Sequence, residues 1–480
     1  MNWRFIITVT GILNFFLGIA MTAALGCCLI YREPSYIIFI KSITITVAAS
    51  LSSIFIFKTP RTDHINHKEG MVIVALAWLS IGFFGAFPFY FEGETFTNAF
   101  FESVSGFTTT GASILTDIEA KSKGLLFWRS LIQWIGGMGI IVLSIAILPF
   151  LGVGGMELYK AEVPSPVPDK LKPRIKDTAI ILWTAYLLLT ALEAFLLILA
   201  GMSVYDAICH AFTTMPTGGF SVKNASVGYY NSIYIDYIII IFMFLAGINF
   251  SLHFQLIRGK TLIFWRDAEC RFYIIITLVL IGVLFFFIYG SAYQNIGDAL
   301  RYAAFQAISI ITTTGFATAD YELWVPGANI LLLFSMFLGA SAGSTGGGMK
   351  SLRIMLCFKY CYREIFFLIH PRSVSRIKIG GKTVSDKIIR SVLGFLSLYV
   401  GIFALCAILL SAIGVDFTTS IGAAASALGN IGPGFGLVGP AGNYAAIPEA
   451  GKWLLLLCML LGRLEIYTII VLFIPEFWRR

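Results

Sequence analysis

Charged side chains make up only 12% of this 480-residue sequence, a scarcity that excludes a water-soluble globular fold at the outset. Histidine occurs five times, and none of the eight cysteines forms a C-x-x-C pair. Neither a zinc site nor a disulfide framework is therefore written into the spacing. Cys27, Cys28, Cys209, Cys270, Cys357, Cys361, Cys406 and Cys458 fall mostly on apolar stretches, where a free thiol behaves as a small hydrophobe. The clustered histidines, thiols or paired acids at one membrane depth that a polytopic membrane enzyme needs are missing too. No resident cofactor and no bond-making chemistry are expected.

What remains is apolar. The sequence is 58% hydrophobic with a mean hydropathy of +0.85, and stretches of roughly 20 apolar residues suffice to cross a bilayer. They are read at 5–31, 36–57, 70–91, 124–150, 178–200, 231–256, 271–290, 327–357, 388–413 and 452–475. The first carries Arg4 ahead of its apolar run, and Ala24-Leu25-Gly26-Cys27 hints at a lipoprotein cleavage site. The run continues to Tyr31, past the length of a signal core, so a membrane anchor is predicted.

The net charge of +8 follows topology rather than a nucleic-acid surface. Lys58, Arg61 and Lys68 share one connection; Lys160, Lys170, Lys172, Arg174 and Lys176 another; Arg258, Lys260, Arg266 and Arg271 a third. The stretch from Lys350 to Arg390 is richer still, and the chain ends Arg479-Arg480. Alternate connections hold Glu92, Glu94, Asp117, Glu119, Asp206, Asp298, Asp320, Glu322, Asp416 and Glu449. The positive-inside rule then puts the basic connections and both termini in the cytoplasm.

Four short segments interrupt this plan: Thr108-Thr109-Thr110-Gly111, Met215-Pro216-Thr217-Gly218, Thr312-Thr313-Thr314-Gly315 and Gly429-Asn430-Ile431-Gly432. Each follows a half-length apolar stretch between two full spans, at a period of about a hundred residues, longer than solenoid repeats. Aligned on the glycines, Ser105, Phe212, Ser309 and Ser426 share a column. Glu94, Asp206, Asp298 and Asp416 lie near the starts of the half-length stretches, where an acid caps open N–H groups and meets the positive end of the helix dipole. The opposite, partially negative ends then converge at mid-membrane and favour a cation. Irregular backbone at that depth is tolerated only inside protein or along a water-filled path. Four such loops entering from outside predict one pore.

A dehydrated monovalent cation such as potassium needs about eight oxygens, which channel filters supply as rings of backbone carbonyls. Turning successive carbonyls to one axis demands backbone angles that a Cβ resists, so glycine is expected at the decisive positions, here Gly111, Gly218, Gly315 and Gly432. No carboxylate lies within the four segments, which argues against a divalent-ion site ringed by acids.

With these motifs in order, the sequence resembles the Trk/Ktr/HKT superfamily of potassium transporters over nearly its whole length. Two extra spans ahead of the first repeat make it more similar to the bacterial TrkH type than to the shorter KtrB type. The resemblance implies an all-α integral membrane fold: an N-terminal two-helix unit at 1–69, and pore repeats at 70–175, 176–270, 271–386 and 387–480. It implies a potassium filter built from Thr109, Thr110, Gly111, Thr217, Gly218, Thr313, Thr314, Gly315, Asn430, Ile431 and Gly432. In plant members a serine at the first filter glycine goes with sodium selectivity, so Gly111 implies potassium. The polar run within 327–357, including Gly343, Ser344, Thr345, Gly346, Gly347, Gly348 and Lys350, cannot stay helical at ordinary cost. It resembles the superfamily's intramembrane gate loop. Arg463, charged and inside the last span, is similar to the pore-facing arginine of the family, and Glu465, two residues on, is a poor partner for it. The resemblance further implies a homodimer with one pore per subunit in a bacterial inner membrane, and a cytosolic nucleotide-binding regulator of the TrkA or KtrA kind docking on the basic connections.

Two motif matches are declined: Gly434-Phe-Gly436-Leu-Val-Gly439 follows no strand and runs into Pro440, and Gly343 to Lys350 lacks an adjacent Gly-Lys. His210 and His253 read as packing residues. An ion-coupled symporter and the potassium-binding subunit of a Kdp-type pump share the repeat plan and stand as alternatives.

Overall fold

Long apolar runs without internal proline form helices in lipid because only there is every backbone group bonded within its own segment. The computed structural model describes residues 1–57, 67–146, 175–259, 262–373 and 375–479. Lys58, Arg61, His64, Lys160, Lys170, Lys172, Arg174, Lys260 and Arg480 lie outside the described residues, as does the end of the 124–150 crossing.

Among the described residues six helices are long and apolar enough to cross a bilayer: Trp3–Tyr31, Tyr36–Ile56, Lys68–Phe91, Ile180–Leu199, Ala268–Ile288 and Asp386–Ala412. Between 22% and 39% of each is buried against protein. The remaining apolar faces, with side chains such as Phe55, Leu199, Ile275 and Phe286 exposed, need hydrocarbon around them. The first two helices pack closely because Gly11 and Gly18 leave no room for a Cβ against Ser53 and Val47.

Four predicted crossings take other forms. The crossing at 124–150 is the helix Lys123–Ala146, which runs to the edge of the described residues. The crossing at 231–256 is bent by 102° between Ile233–Ala246 and Phe250–Ile257, and that at 452–475 by 112° between Glu449–Arg463 and Tyr467–Phe473. At the first bend Asn249 breaks the ladder by accepting from the Ser251 N–H at 2.9 Å, starting a new helix. At the second, Glu465 takes a left-handed backbone with φ +57. The crossing at 327–357 holds the helix Pro326–Ser335, then irregular chain, then the helix Ser351–Ile369. After that helix a short hairpin pairs Lys378–Ile379 with Lys382–Thr383.

Four short helices descend between the long ones: Phe96–Phe107, Val204–Thr214, Ile296–Ile311 and Phe417–Gly429. Their apolar residues recur at helical period around small ones, so each is buried along most of its length. Capping differs from the sequence expectation. Only Asp416 is itself the cap, accepting from the Thr419 N–H at 3.0 Å. Thr95, Ser203 and Asn295 cap the other three. Glu94 instead pairs with Lys121 at 2.9 Å, and Asp298 with Arg301 at 3.1 Å. A residue at the cap must bend back over its own first turn, which a short side chain does best, so Glu94 and Asp298 are left to pair with cations while Asp206 stays in the first turn of its helix.

Candidate functional site

The four short helices end in loops that share one backbone signature. Thr109, Thr217, Thr313 and Asn430 have φ between +51 and +61, and the residues two further on, Gly111, Gly219, Gly315 and Gly432, also have positive φ. Three threonines in the left-handed region are notable because a β-branched residue there costs on the order of 1–2 kcal/mol. Such strain persists only where the surroundings enforce it, and it concentrates at functional sites.

The signature corrects the register of the second repeat. Its glycine of positive φ is Gly219, so Gly218 stands in the column of Thr110, Thr314 and Ile431. The N–H groups of these four donate to the carbonyls of Ser105, Thr213, Ser309 and Ser426 at 2.8–3.0 Å. With the shift, a hydroxyl residue occupies all four places of the lead-in column, Thr213 replacing Phe212.

These loops close on one another in a ring. A Cβ on Gly111 would lie under 3.0 Å from the carbonyl oxygen of Gly218. One on Gly219 would meet that of Thr314, one on Gly315 that of Ile431, and one on Gly432 that of Thr110, all under the same limit. Each glycine therefore faces the next loop's carbonyl in the same column, and the fourth returns to the first. Among the described residues no donor reaches the carbonyl oxygens of Thr110, Thr314 or Ile431. Buried carbonyls are ordinarily paired, so free ones at a closed ring are available to a cation.

Side chains behind the ring hold it. Asn430 donates from Nδ2 to Thr110 Oγ1 and to the Met459 carbonyl, both at 2.9 Å. Gln133 donates to the Gly218 carbonyl at 2.7 Å and accepts from the Phe220 N–H at 3.1 Å. Tyr444 and Ser426 both donate to the Gly432 carbonyl, at 2.7 and 2.6 Å. The Arg129–Glu102 ion pair, 2.6 Å long and almost fully buried, spans the first two loops. Glu102 accepts from Ser113 Oγ and the Ile114 N–H, while Arg129 donates to the Ser221 carbonyl at 2.8 Å and lies over the Phe220 ring. His210 is buried, with its ring nitrogens 2.8 Å from the Asp206 carbonyl and 3.0 Å from Ser221 Oγ, and His253 lies 2.9 Å from the Leu245 carbonyl. Both have backbone or hydroxyl partners.

The sequence reading missed Gly219, Glu102, Arg129 and Gln133. A signal existed for Arg129 and Glu102, since charge within an apolar span marks a site by default. Adjacent glycines at 218 and 219 gave no means of choosing between them.

The polar run after Ser335 lies against the helix-side ends of these loops. The Gly347 N–H donates to Thr313 Oγ1 at 2.6 Å, the Gly348 N–H to the Gly429 carbonyl at 3.0 Å, and Thr345 Oγ1 to the Met215 carbonyl at 2.9 Å. One segment thus touches the second, third and fourth loops. Arg463 donates from Nη1 to the Thr345 carbonyl at 2.7 Å and from Nη2 to the Gly136 carbonyl at 3.3 Å, linking the segment to the first repeat's following helix. Lys350 Nζ donates to the Gly346 carbonyl. Ser344 Oγ donates to the Ser341 carbonyl, and the Gly343 carbonyl accepts from the Phe250 N–H at the 102° bend. Glu465 pairs with Arg353 rather than with Arg463.

The family model for TrkH, described as a cation transport protein, matches residues 37–480. The chain belongs to the TrkH family. It is 42% identical to the Trk system potassium uptake protein TrkH of Salmonella typhimurium, with all of both chains covered. To the Trk system potassium uptake protein TrkG of Escherichia coli it is 36% identical, with 99% of each covered. Among solved structures it is similar to the crystal structure of the potassium transporter TrkH from Vibrio parahaemolyticus, with a TM-score of 0.92, 38% identity and full coverage of both chains. TrkH-family membership agrees with the helical membrane fold.

Proposed function

We propose that this protein takes up potassium across a bacterial inner membrane through a channel-like pore, with both termini in the cytoplasm. The observation that carries the reading is the closed ring of four loops from one chain, each glycine abutting the next loop's carbonyl. K⁺ enters from outside, sheds water in the filter formed by Thr109, Thr110, Gly111, Thr217, Gly218, Gly219, Thr313, Thr314, Gly315, Asn430, Ile431 and Gly432, where the carbonyls of Thr110, Thr314 and Ile431 are free to face it, and moves inward without any bond being made or broken. The partially negative carboxyl ends of the four short helices favour a cation below the ring. Support for potassium in particular comes from the relatives, which are a potassium uptake protein and a potassium transporter, and from the absence of carboxylates in the four loops.

The segment Gly339–Lys350 acts as the gate beneath the filter, tied shut by Arg463. The four pore repeats at 70–175, 176–270, 271–386 and 387–480 follow the two-helix unit at 1–69. The protein works as a homodimer with one pore per subunit. A cytosolic nucleotide-binding regulator docks on the connection Lys350–Arg390, where Arg372, Arg376, Lys378, Lys387 and Arg390 are exposed.

The test is reconstitution of the purified chain in liposomes, with K⁺ and Na⁺ fluxes measured for the parent and for Gly111→Ser. The parent prefers K⁺, and the variant loses that preference. No preference in the parent, or an unchanged ratio in the variant, overturns the filter assignment.

A further inference from the structure

Glu465 stands at the 112° elbow between the helices Glu449–Arg463 and Tyr467–Phe473 with a left-handed backbone of φ +57, followed by Ile466 at φ −3. A glutamate has no intrinsic reason to take this conformation, which costs on the order of 1–3 kcal/mol. Its carboxylate holds Arg353, one turn into the helix that leaves the gate segment. Arg353 is also fixed from two other sides, by the Phe395 ring 4.0 Å from its guanidinium and by the Met349 carbonyl at 3.4 Å.

The charges around this pair decide what it does. Arg353 lies three residues after Lys350, which donates to the Gly346 carbonyl. Glu465 lies two residues after Arg463, which donates to the neighbouring Thr345 carbonyl. Two cations on different elements thus converge on adjacent carbonyls of one segment, and Arg353 adds a third positive charge beside them. Like charges gathered in a low-dielectric region repel strongly. Glu465 supplies a negative charge at the point where the two elements meet.

We infer that Arg353 and Glu465 form a latch that holds the Gly339–Lys350 segment in the obstructing position, and that separating them lets the segment move. The inference rests on the reading of that segment as a gate. Glu465 and Arg353 are positioning residues: neither touches the ring, and both act through the elements that carry Arg463 and Lys350. Loss of the glutamate has the larger effect, because it removes the carboxylate paired with Arg353 and leaves Glu269, already bonded to the Ala342 N–H, as the acid facing Lys350. Loss of the arginine frees Glu465 to meet one of the two remaining cations.

The experiment measures K⁺ flux into liposomes containing the full chain with no regulator present. Glu465→Gln raises flux on the order of tenfold, within the usual range of coupling between two sites, and Arg353→Gln raises it less. The exchange Arg353→Glu with Glu465→Arg returns flux toward the parent. The K⁺/Na⁺ permeability ratio stays at the parental value throughout, whereas a merely structural pair lowers flux or blurs selectivity when broken. Glu465→Asp, which keeps the charge but shortens its reach, gives a smaller rise and serves if Glu465→Gln does not fold. A parallel chain lacking Gly346, Gly347 and Gly348 separates the two ideas. If that deletion raises flux while the pair variants do not, the latch is overturned and the gate stands. If neither raises flux, the gate falls and the latch with it.

Discussion

Arg463 reaches the Thr345 carbonyl at 2.7 Å, from a helix that ends at that same arginine. A cation buried at this depth costs at least 2.5–3.5 kcal/mol on insertion scales. Its two carbonyl partners belong to different elements, Thr345 in the proposed gate and Gly136 on the helix after the first loop. Arg463→Ala removes both ties. We expect several-fold higher K⁺ flux with unchanged ion preference, measured in liposomes, since the ring itself is untouched.

The second loop separates two glycines that differ by one position. Gly219 has φ +73 and its Cβ would collide with the next loop's backbone, whereas Gly218 is not in the left-handed region and a Cβ there would press on the Gln133 amide, a side chain rather than backbone. Gly219→Ala therefore costs more than Gly218→Ala. The expected outcome is at least a tenfold loss of rubidium uptake for the first and a much smaller loss for the second. Equal effects would restore the unshifted register.

Arg129 and Glu102 form a pair whose single disruption leaves a buried charge, at a cost of roughly 3–5 kcal/mol. Arg129→Met alone should lower the melting temperature in detergent markedly. Combining it with Glu102→Gln should recover a good part of that loss, because no unpaired charge remains. Ion preference stays impaired in the double variant, since Ser113, Ile114 and Ser221 have lost their shared anchor.

Asn430 combines a backbone of φ +54 with an amide that donates to Thr110 and Met459. Asn430→Asp sets a buried carboxylate against the Met459 carbonyl and costs more than the about 1–3 kcal/mol of an unpaired neutral group. Asn430→Gly keeps the backbone conformation and should fold better than Asn430→Asp. Comparing thermal unfolding of the two against the parent checks the order.

Much of this arrangement was legible because apolar length and glycine placement follow directly from the physics of the bilayer. The four loops, the break after Ser335 and the positions of the crossings could all be read in one dimension. The bends at Asn249 and Glu465 could not, because apolar composition continues through them and only capping and backbone angles mark the turn. The caps were misjudged for a related reason. An acid near a helix start is a sum of possible roles, and only geometry divides capping from ion pairing. The shared pore followed from four matching loops, but which glycine abuts which carbonyl did not, since Gly111 and Gly218 are neighbours in space and far apart in sequence. Arg129 and Glu102 were visible as charges in apolar surroundings, yet their common task depends on two loops meeting.

Because a single polypeptide contributes all four walls, no two quadrants are obliged to be alike. A subunit repeated fourfold would multiply every substitution by four, but here an exchange at Asn430 or Thr217 alters one wall and spares three. In the proposed filter each wall can therefore be altered by itself, and the column of Thr110, Gly218, Thr314 and Ile431 already holds three residue types.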